Sequence, residues 1–327
     1  LIDVYRPLHT DLKREPAPLG PDGVPVIHPD AVWVDLFRPT REEDRAAEAF
    51  IGAELLTREE MEEIEPSSRL SMENGTLYLT AVLLCRSESS EPGTTAVSFI
   101  FARNRLVTLR YDEPGTFPVA VNRMLRPVSD VCTARAVLVT LLETAIDRLA
   151  DILERATARI GGIGTTIFEN HAPGQRPDYN LTLRAIGREG LRLGHVQESL
   201  LGLSRLLLFL DEKAEATGFG KDDRARMLTM QRDIQALSDH VHGLDERNTF
   251  LLDATLGLVS IQQNDIIKIF SVLAVIFMPP TLVASIYGMN FDVMPELHWT
   301  WGYPYALALM VAAAVVTFLV FRWRRWL

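Results

Sequence analysis

Near its C-terminus the chain reads YGMNFDVMPEL over residues 287–297, and the side chains on offer there suit the holding of a cation. Asn290 carries a neutral amide whose carbonyl oxygen accepts hydrogen bonds from the water around a hydrated ion. Gly288, two residues earlier, permits a close or left-handed backbone beside it. Asp292 and Glu296 add negative charge to a stretch without Lys or Arg, so the loop would raise the local cation concentration. Ordinary loop solubility accounts for two acids equally well.

A second candidate set precedes this loop. Asn264, Ile267, Ser271, Ala274, Met278, Thr281 and Ser285 recur at spacings of three or four and so share one helix face, with Phe270 beside it. The mixture of small, polar and apolar residues suits the wall of a narrow pore. A helix-packing face of small residues would show the same spacing. Pro279 and Pro280 remove backbone donors, which predicts a kink or a loosened turn there.

Both sets acquire this chemistry only inside a bilayer. Residues 266–286 and 303–321 each supply about twenty mostly apolar positions, enough to span one. A buried core hairpin is the alternative, and the absence of any charge from 303–321 argues against it. Trp299, Trp301 and Tyr303 flank one end of the second stretch and Trp323 and Trp326 the other, as in interfacial belts. Arg322, Arg324 and Arg325 cluster after it, Lys268 marks the start of the first stretch, and the connecting loop has no basic residue. The positive-inside rule then predicts a multi-pass protein with both termini cytoplasmic and the loop outside.

Composition narrows the classes further. The 327 residues allow one large domain or two ordinary ones. A net charge of -10 argues against a nucleic-acid binder and suits a surface that tolerates or attracts cations. Cys85 and Cys132 lack paired spacing and read as buried thiols of a reducing compartment. No signal-peptide pattern opens the sequence. TGFGKDD lacks the spaced glycine and following Ser/Thr of a phosphate loop, and GGIGTT (161–166) is too short for one and reads as a flexible stretch within a helical region. His240 and His242, two apart, diverge on a helix and form a poor chelate. No catalytic Ser/His/Asp or Cys/His grouping appears, so neither an enzyme nor an organic cofactor is expected.

The elements that must position these residues follow from pattern. Pro7–Pro29 reads as extended edge or loop. AVWVDL (31–36) is a strand candidate, and the next helix opens with Thr40 and Glu43 in capping-box spacing, repeated by Thr57 and Glu60 for a shorter one. Asn74-Gly75 is a turn before an apolar strand, and TAVSFIFA and RLVTLRY supply two more. Beyond about Pro127 the texture becomes helical, with helices near 128–170 and 180–217. A third begins near Lys221, with no strong breaker before Pro279, and would make a rod on the order of 100 Å long that needs surrounding partners. Glu143, Asp147, Asp151 and Glu154, interleaved with Arg148, Arg155 and Arg159, read as a salt-bridged face; divalent-cation binding between subunits is the functional alternative. The organisation is thus an α+β cytosolic domain followed by two C-terminal transmembrane helices. Its parts are an α/β domain (1–125), a long helical hairpin (126–220), a stalk helix continuing into the first span (221–287, spanning from 266), an external loop (288–302), a second span (303–322) and a basic tail (323–327).

The YGMNF and MPEL runs, the W-x-W-G-Y-P that follows, and the second span with its basic tail closely resemble the CorA family of magnesium and cobalt transport proteins. The order of α/β part, long helices and terminal hairpin extends the likeness over nearly the whole chain. The resemblance implies a homopentameric, funnel-like channel in the inner membrane. Gly288, Met289 and Asn290 would form its external selectivity ring, supported by Tyr287, Asp292 and Glu296. Asn264, Ile267, Phe270, Met278 and Thr281 would face the conduction path, with Ser271 and Ala274 on the same stripe. Mg²⁺ would be the cargo, along with Co²⁺ and Ni²⁺, and intracellular Mg²⁺ would also regulate. The regulatory residues are harder to assign, because Thr229 stands where some relatives have an acid; Asp222, Asp223, Asp233 and Glu73 are the candidates nearby. Inward movement of a divalent ion gains roughly 4.6 kcal/mol per 100 mV, so no ATPase is required. A proton-coupled zinc carrier of the same superfamily and a non-conducting membrane-tethered sensor are the rival readings, the intact Met289 speaking against the first.

Overall fold

A computed structural model of the chain describes residues 1–8, 11–20, 22–63, 65, 69–86, 92–126, 131–169, 178–289, 294 and 299–324. They fall into two units, Leu1–Leu252 and Asp253–Leu327.

The first unit is built on one sheet. Its strands are β1 (Ile2–Leu8), β2 (Asp11–Pro16), β3 (Trp33–Phe37), β4 (Leu70–Glu73), β5 (Thr76–Cys85), β6 (Gly93–Ala102) and β7 (Arg105–Arg110), in the order β2-β1-β3-β7-β6-β5-β4. All neighbours are antiparallel except β3 and β7. The Asn74-Gly75 turn closes the β4–β5 hairpin, with Glu73 opposite Thr76 and φ of 50° and 82° at the two turn residues. Positive φ at both central residues is what a two-residue hairpin turn matching the strand twist requires. β2 lies within the Pro7–Pro29 stretch read from sequence as edge or loop and is the edge strand paired with β1; Pro16 ends it, where a missing donor costs little.

Every residue of β5 is buried, which explains its unbroken apolar run. Helices α1 (Arg41–Ile51) and α2 (Arg58–Glu62) bring Ala47, Phe50, Ile51 and Met61 into one core with Val34, Leu36, Ile100, Val107 and Leu109. Both begin with the expected capping boxes on Thr40 and Thr57. A short α3 (Thr116–Met124) leads to α4 (Ala134–Phe168) and α5 (Tyr179–Glu212), which lie against β7 and β5. Asp35 interrupts the apolar pattern of β3 and is 3% exposed. It accepts from Thr108 Oγ1 at 2.6 Å and Arg110 Nη2 at 2.9 Å. Burial pushes its carboxyl above the usual range, while Arg110 and Thr108 pull it back. Cys85 is buried and Cys132 half-buried, and they are not joined to one another.

After α6 (Ala214–Thr217) comes α7 (Lys221–Tyr287), 67 residues assigned as one helix. Met227, Met230, Ile234, Val241, Leu244, Asn248 and Leu251 are buried and Leu237 half-buried, a strict three-four alternation. That seven-residue repeat keeps one seam turned toward neighbouring helices. Contacts along it include Asn248 Nδ2 to the Ile186 carbonyl at 3.2 Å, Gln197 Nε2 to Ser238 Oγ at 3.1 Å, and the stacked rings of Phe168 and Phe250. Residues 161–166 are not a flexible break. They lie inside α4, where Thr165 and Thr166 donate to the carbonyls of Gly161 and Gly162 and Gly164 abuts Leu251. α8 (Gly302–Trp323) completes the chain's helices among the described residues.

Candidate functional site

The upper part of α7 and all of α8 are long and apolar enough to cross a membrane, and only 6% of each apolar window is buried. The few shielded positions are ordered. From Val272 to Met289, they are Val272, Ile276, Pro279, Pro280, Val283 and Tyr287, which fall on one face of α7. On α8 they are Gly302, Ala306, Met310, Ala313, Ala314, Thr317 and Phe321, again one face and mostly small. Each helix thus has one shielded side and one bare side. Small residues on α8 permit the close approach that packing in lipid depends on.

Asn264, Ile267, Phe270, Ser271, Ala274, Met278, Thr281 and Ser285 are all exposed. From Ser271 onward they occupy the side of α7 opposite its shielded face. The predicted stripe is therefore bare. Its two hydroxyls at the upper end turn inward to the helix: Thr281 Oγ1 donates to the Phe277 carbonyl at 2.7 Å and Ser285 Oγ to the Thr281 carbonyl at 2.8 Å. Phe277 and Thr281 straddle the two prolines. The helix runs on through Pro279 and Pro280; neighbouring Ser and Thr hydroxyls commonly stabilise such turns.

At the end of α7 the Gly288 N–H donates to the Ala284 carbonyl at 2.9 Å and Met289 N–H to the Ile286 carbonyl at 3.2 Å. A Cβ added to Gly288 would lie 3.1 Å from that same Ala284 oxygen. Tyr287 is half-buried and Met289 exposed. Asn290, Asp292 and Glu296 lie outside the described residues.

The candidate regulatory acids are dispersed. Glu73 is exposed at the β4–β5 turn. Asp222 and Asp223 lie in the first turn of α7, where Asp223 Oδ2 accepts from the Gly220 N–H at 3.0 Å. Asp233 lines a cavity of about 380 Å³ with Glu143, Asp147, Arg123, Arg226 and Thr229. Glu143 is held by Arg226 at 2.7 Å and Asp147 by Arg123 at 3.3 Å, so part of the salt-bridged face read from sequence pairs with other helices. Burial pushes the Asp147 carboxyl up; Arg123 pulls it down, and Glu143, Asp151 and Asp233 push it up. No group of three or more His, Cys, Asp or Glu arranged to hold a metal occurs among the described residues. Of the histidines weighed, His240 Nε2 lies 3.1 Å from Thr157 Oγ1.

Sequence reasoning missed the shielded faces of the two spans. The four-residue recurrence of Gly302, Ala306 and Met310 was the available signal. It also missed the seam of α7, legible as Met227, Met230, Ile234, Leu237, Val241, Leu244.

Comparison with known proteins extends this geometry. The pattern of the CorA-like Mg²⁺ transporter protein family matches residues 29–325. The magnesium transport protein CorA of Salmonella typhimurium is 36% identical over 298 residues, covering 91% of this chain and 92% of its own. Among solved structures, the CorA magnesium transporter from Methanocaldococcus jannaschii superposes with a TM-score of 0.71 at 20% identity, over 98% of this chain and 97% of its own. The full-length CmaX protein gives 0.68 at 15% identity, over 100% and 98%. These two show the shared fold.

Proposed function

Because the chain belongs to the CorA-like Mg²⁺ transporter family, we propose that it is a pentameric channel of the inner membrane that admits Mg²⁺ under the membrane potential. That family transports an ion and is not one of enzymes. The observation that carries the channel reading is the bare stripe of α7 from Asn264 to Ser285, opposite the face covered within the same unit. Five such stripes brought around an axis would line one path.

Mg²⁺ sheds its water reluctantly. A ring of five Asn290 amides, seated after Gly288 and Met289, would hold the ion through its water shell. Neutral amides bind without the deep trap a carboxylate ring would form, and conduction needs binding that is favourable yet escapable. Tyr287 supports the ring, and Asp292 and Glu296 raise cation concentration at the mouth. Ile267, Phe270 and Met278 act as apolar constrictions that stop ions when dewetted. Asn264, Ser271, Ala274 and Thr281 complete the wall. Both termini are cytoplasmic, and Co²⁺ and Ni²⁺ share the path. Intracellular Mg²⁺ held between subunits by acids such as Glu73, Asp222, Asp223 and Asp233 closes it.

The test is Mg²⁺ influx into proteoliposomes at an imposed inside-negative potential, with and without a pH gradient. Influx should follow voltage and ignore pH, and Asn290→Ala should abolish it while leaving the oligomer assembled. Influx that requires the proton gradient would make the protein a carrier. Normal influx through assembled Asn290→Ala would refute the selectivity ring.

A further inference from the structure

The strongest feature outside the conduction path is a cavity of about 680 Å³ in the first unit, within the range of small-molecule sites. Arg38, Arg58, Arg69 and Arg86 line it, brought from the end of β3, the start of α2, the approach to β4 and the end of β5. Four guanidinium groups converging in a chain of net charge -10 is not what composition predicts. Like charges brought together cost Coulomb energy that an opposite charge must offset. Carboxylates supply much of it, since Glu62, Asp112 and Glu198 line the same cavity. Glu62 lies 2.8 Å from Arg58 and Asp112 3.8 Å from Arg86.

The arginines are held, not merely present. Arg38 Nε donates to the Tyr111 carbonyl at 2.7 Å and Arg69 Nε to the Glu63 carbonyl at 2.5 Å. Anchoring Nε fixes the guanidinium plane, and the two terminal amino groups of such a plane form the fork that matches phosphate oxygens. Arg38 and Arg86 both have positive φ, 47° and 52°, a conformation that costs a non-glycine residue and that concentrates at ligand sites. Arg86 also lies across Gly93, where an added Cβ would stand 2.8 Å from Nη2. Thr94 and Thr95 bring hydroxyls to the wall, while Val82 and Ala96 give it an apolar portion. The Arg58 guanidinium lies over the Tyr111 ring, 5.4 Å from its centroid.

We propose that this cavity binds the di- or triphosphate chain of a nucleoside polyphosphate. The forked donors take the phosphates, and the Val82–Ala96 wall beside Tyr111 takes the base.

The test uses the full chain in detergent, titrated calorimetrically with ADP, ATP, AMP and pyrophosphate at low ionic strength with EDTA, so that binding is read apart from Mg²⁺ transport. ADP and ATP should bind saturably and more tightly than AMP, with affinity falling as salt rises. Arg58→Gln and Arg69→Gln should each weaken binding about tenfold, as loss of one charge-assisted pair does. Arg14→Gln, on the far edge of the sheet, should leave affinity unchanged. Pyrophosphate should bind more weakly than ADP, because the wall takes the base; pyrophosphate equal to ADP would overturn that role of the wall. No saturable binding by the wild type, or unchanged affinity in a folded Arg58→Gln/Arg69→Gln double variant, would overturn the proposal.

Discussion

Gly288 gives a physical reason for its residue type. Its N–H is bonded to the Ala284 carbonyl, and a methyl group would approach that oxygen to 3.1 Å. Accommodating it means moving a main-chain acceptor in the last turn of α7, two residues before Asn290. Gly288→Ala should therefore lower Mg²⁺ influx at least tenfold, about 1.4 kcal/mol in barrier, with expression and oligomer unchanged. Influx within twofold of wild type would mean that the turn yields without disturbing the ring. The Asp35–Arg110 pair illustrates a different residue-scale logic. It lies deep in the sheet, where each charge offsets the other, since a buried charge without its partner costs far more than the pair contributes.

At the scale of the element, α7 carries two patterns on one continuous helix. Its lower part buries a seven-residue repeat, whereas its upper part shields only the Val272, Ile276, Val283 side. A stripe that is bare in the single chain can face lipid, a second copy or water. Single cysteines at Ala274, Met278 and Thr281, in a background lacking Cys85 and Cys132, separate these cases. A charged, membrane-impermeant thiol reagent should modify them and reduce influx, while cysteines at Val272, Ile276 and Val283 stay protected. Protection at both sets would place the stripe in lipid and remove it from the path.

At the scale of the whole molecule, two almost unburied apolar helices cannot be a finished structure in water. Lipid must cover part of this surface, and in the proposed function further copies cover the rest. Native mass spectrometry of the detergent-solubilised protein should give a mass five times that of the single chain. A monomer that still conducts would end the shared-path reading.

The sequence by itself picked out the two stretches long and apolar enough to cross a membrane, because span length and absence of charge are local properties. It also determined the capping boxes and the Asn74-Gly75 turn, whose geometry is settled within four residues. The Gly-Met-Asn run marks the family by residue type and spacing alone. Tertiary structure decided what depends on residues distant in sequence. Pattern left β1 and β4 unassigned and read β2 only as extended edge or loop, because such short strands form only when a partner strand supplies their hydrogen bonds. The glycines of 161–166 belong to a helix despite their weak propensity, and one of them, Gly164, packs against Leu251. The convergence of Arg38, Arg58, Arg69 and Arg86 is invisible in a linear reading, since four segments meet there only after the sheet has formed.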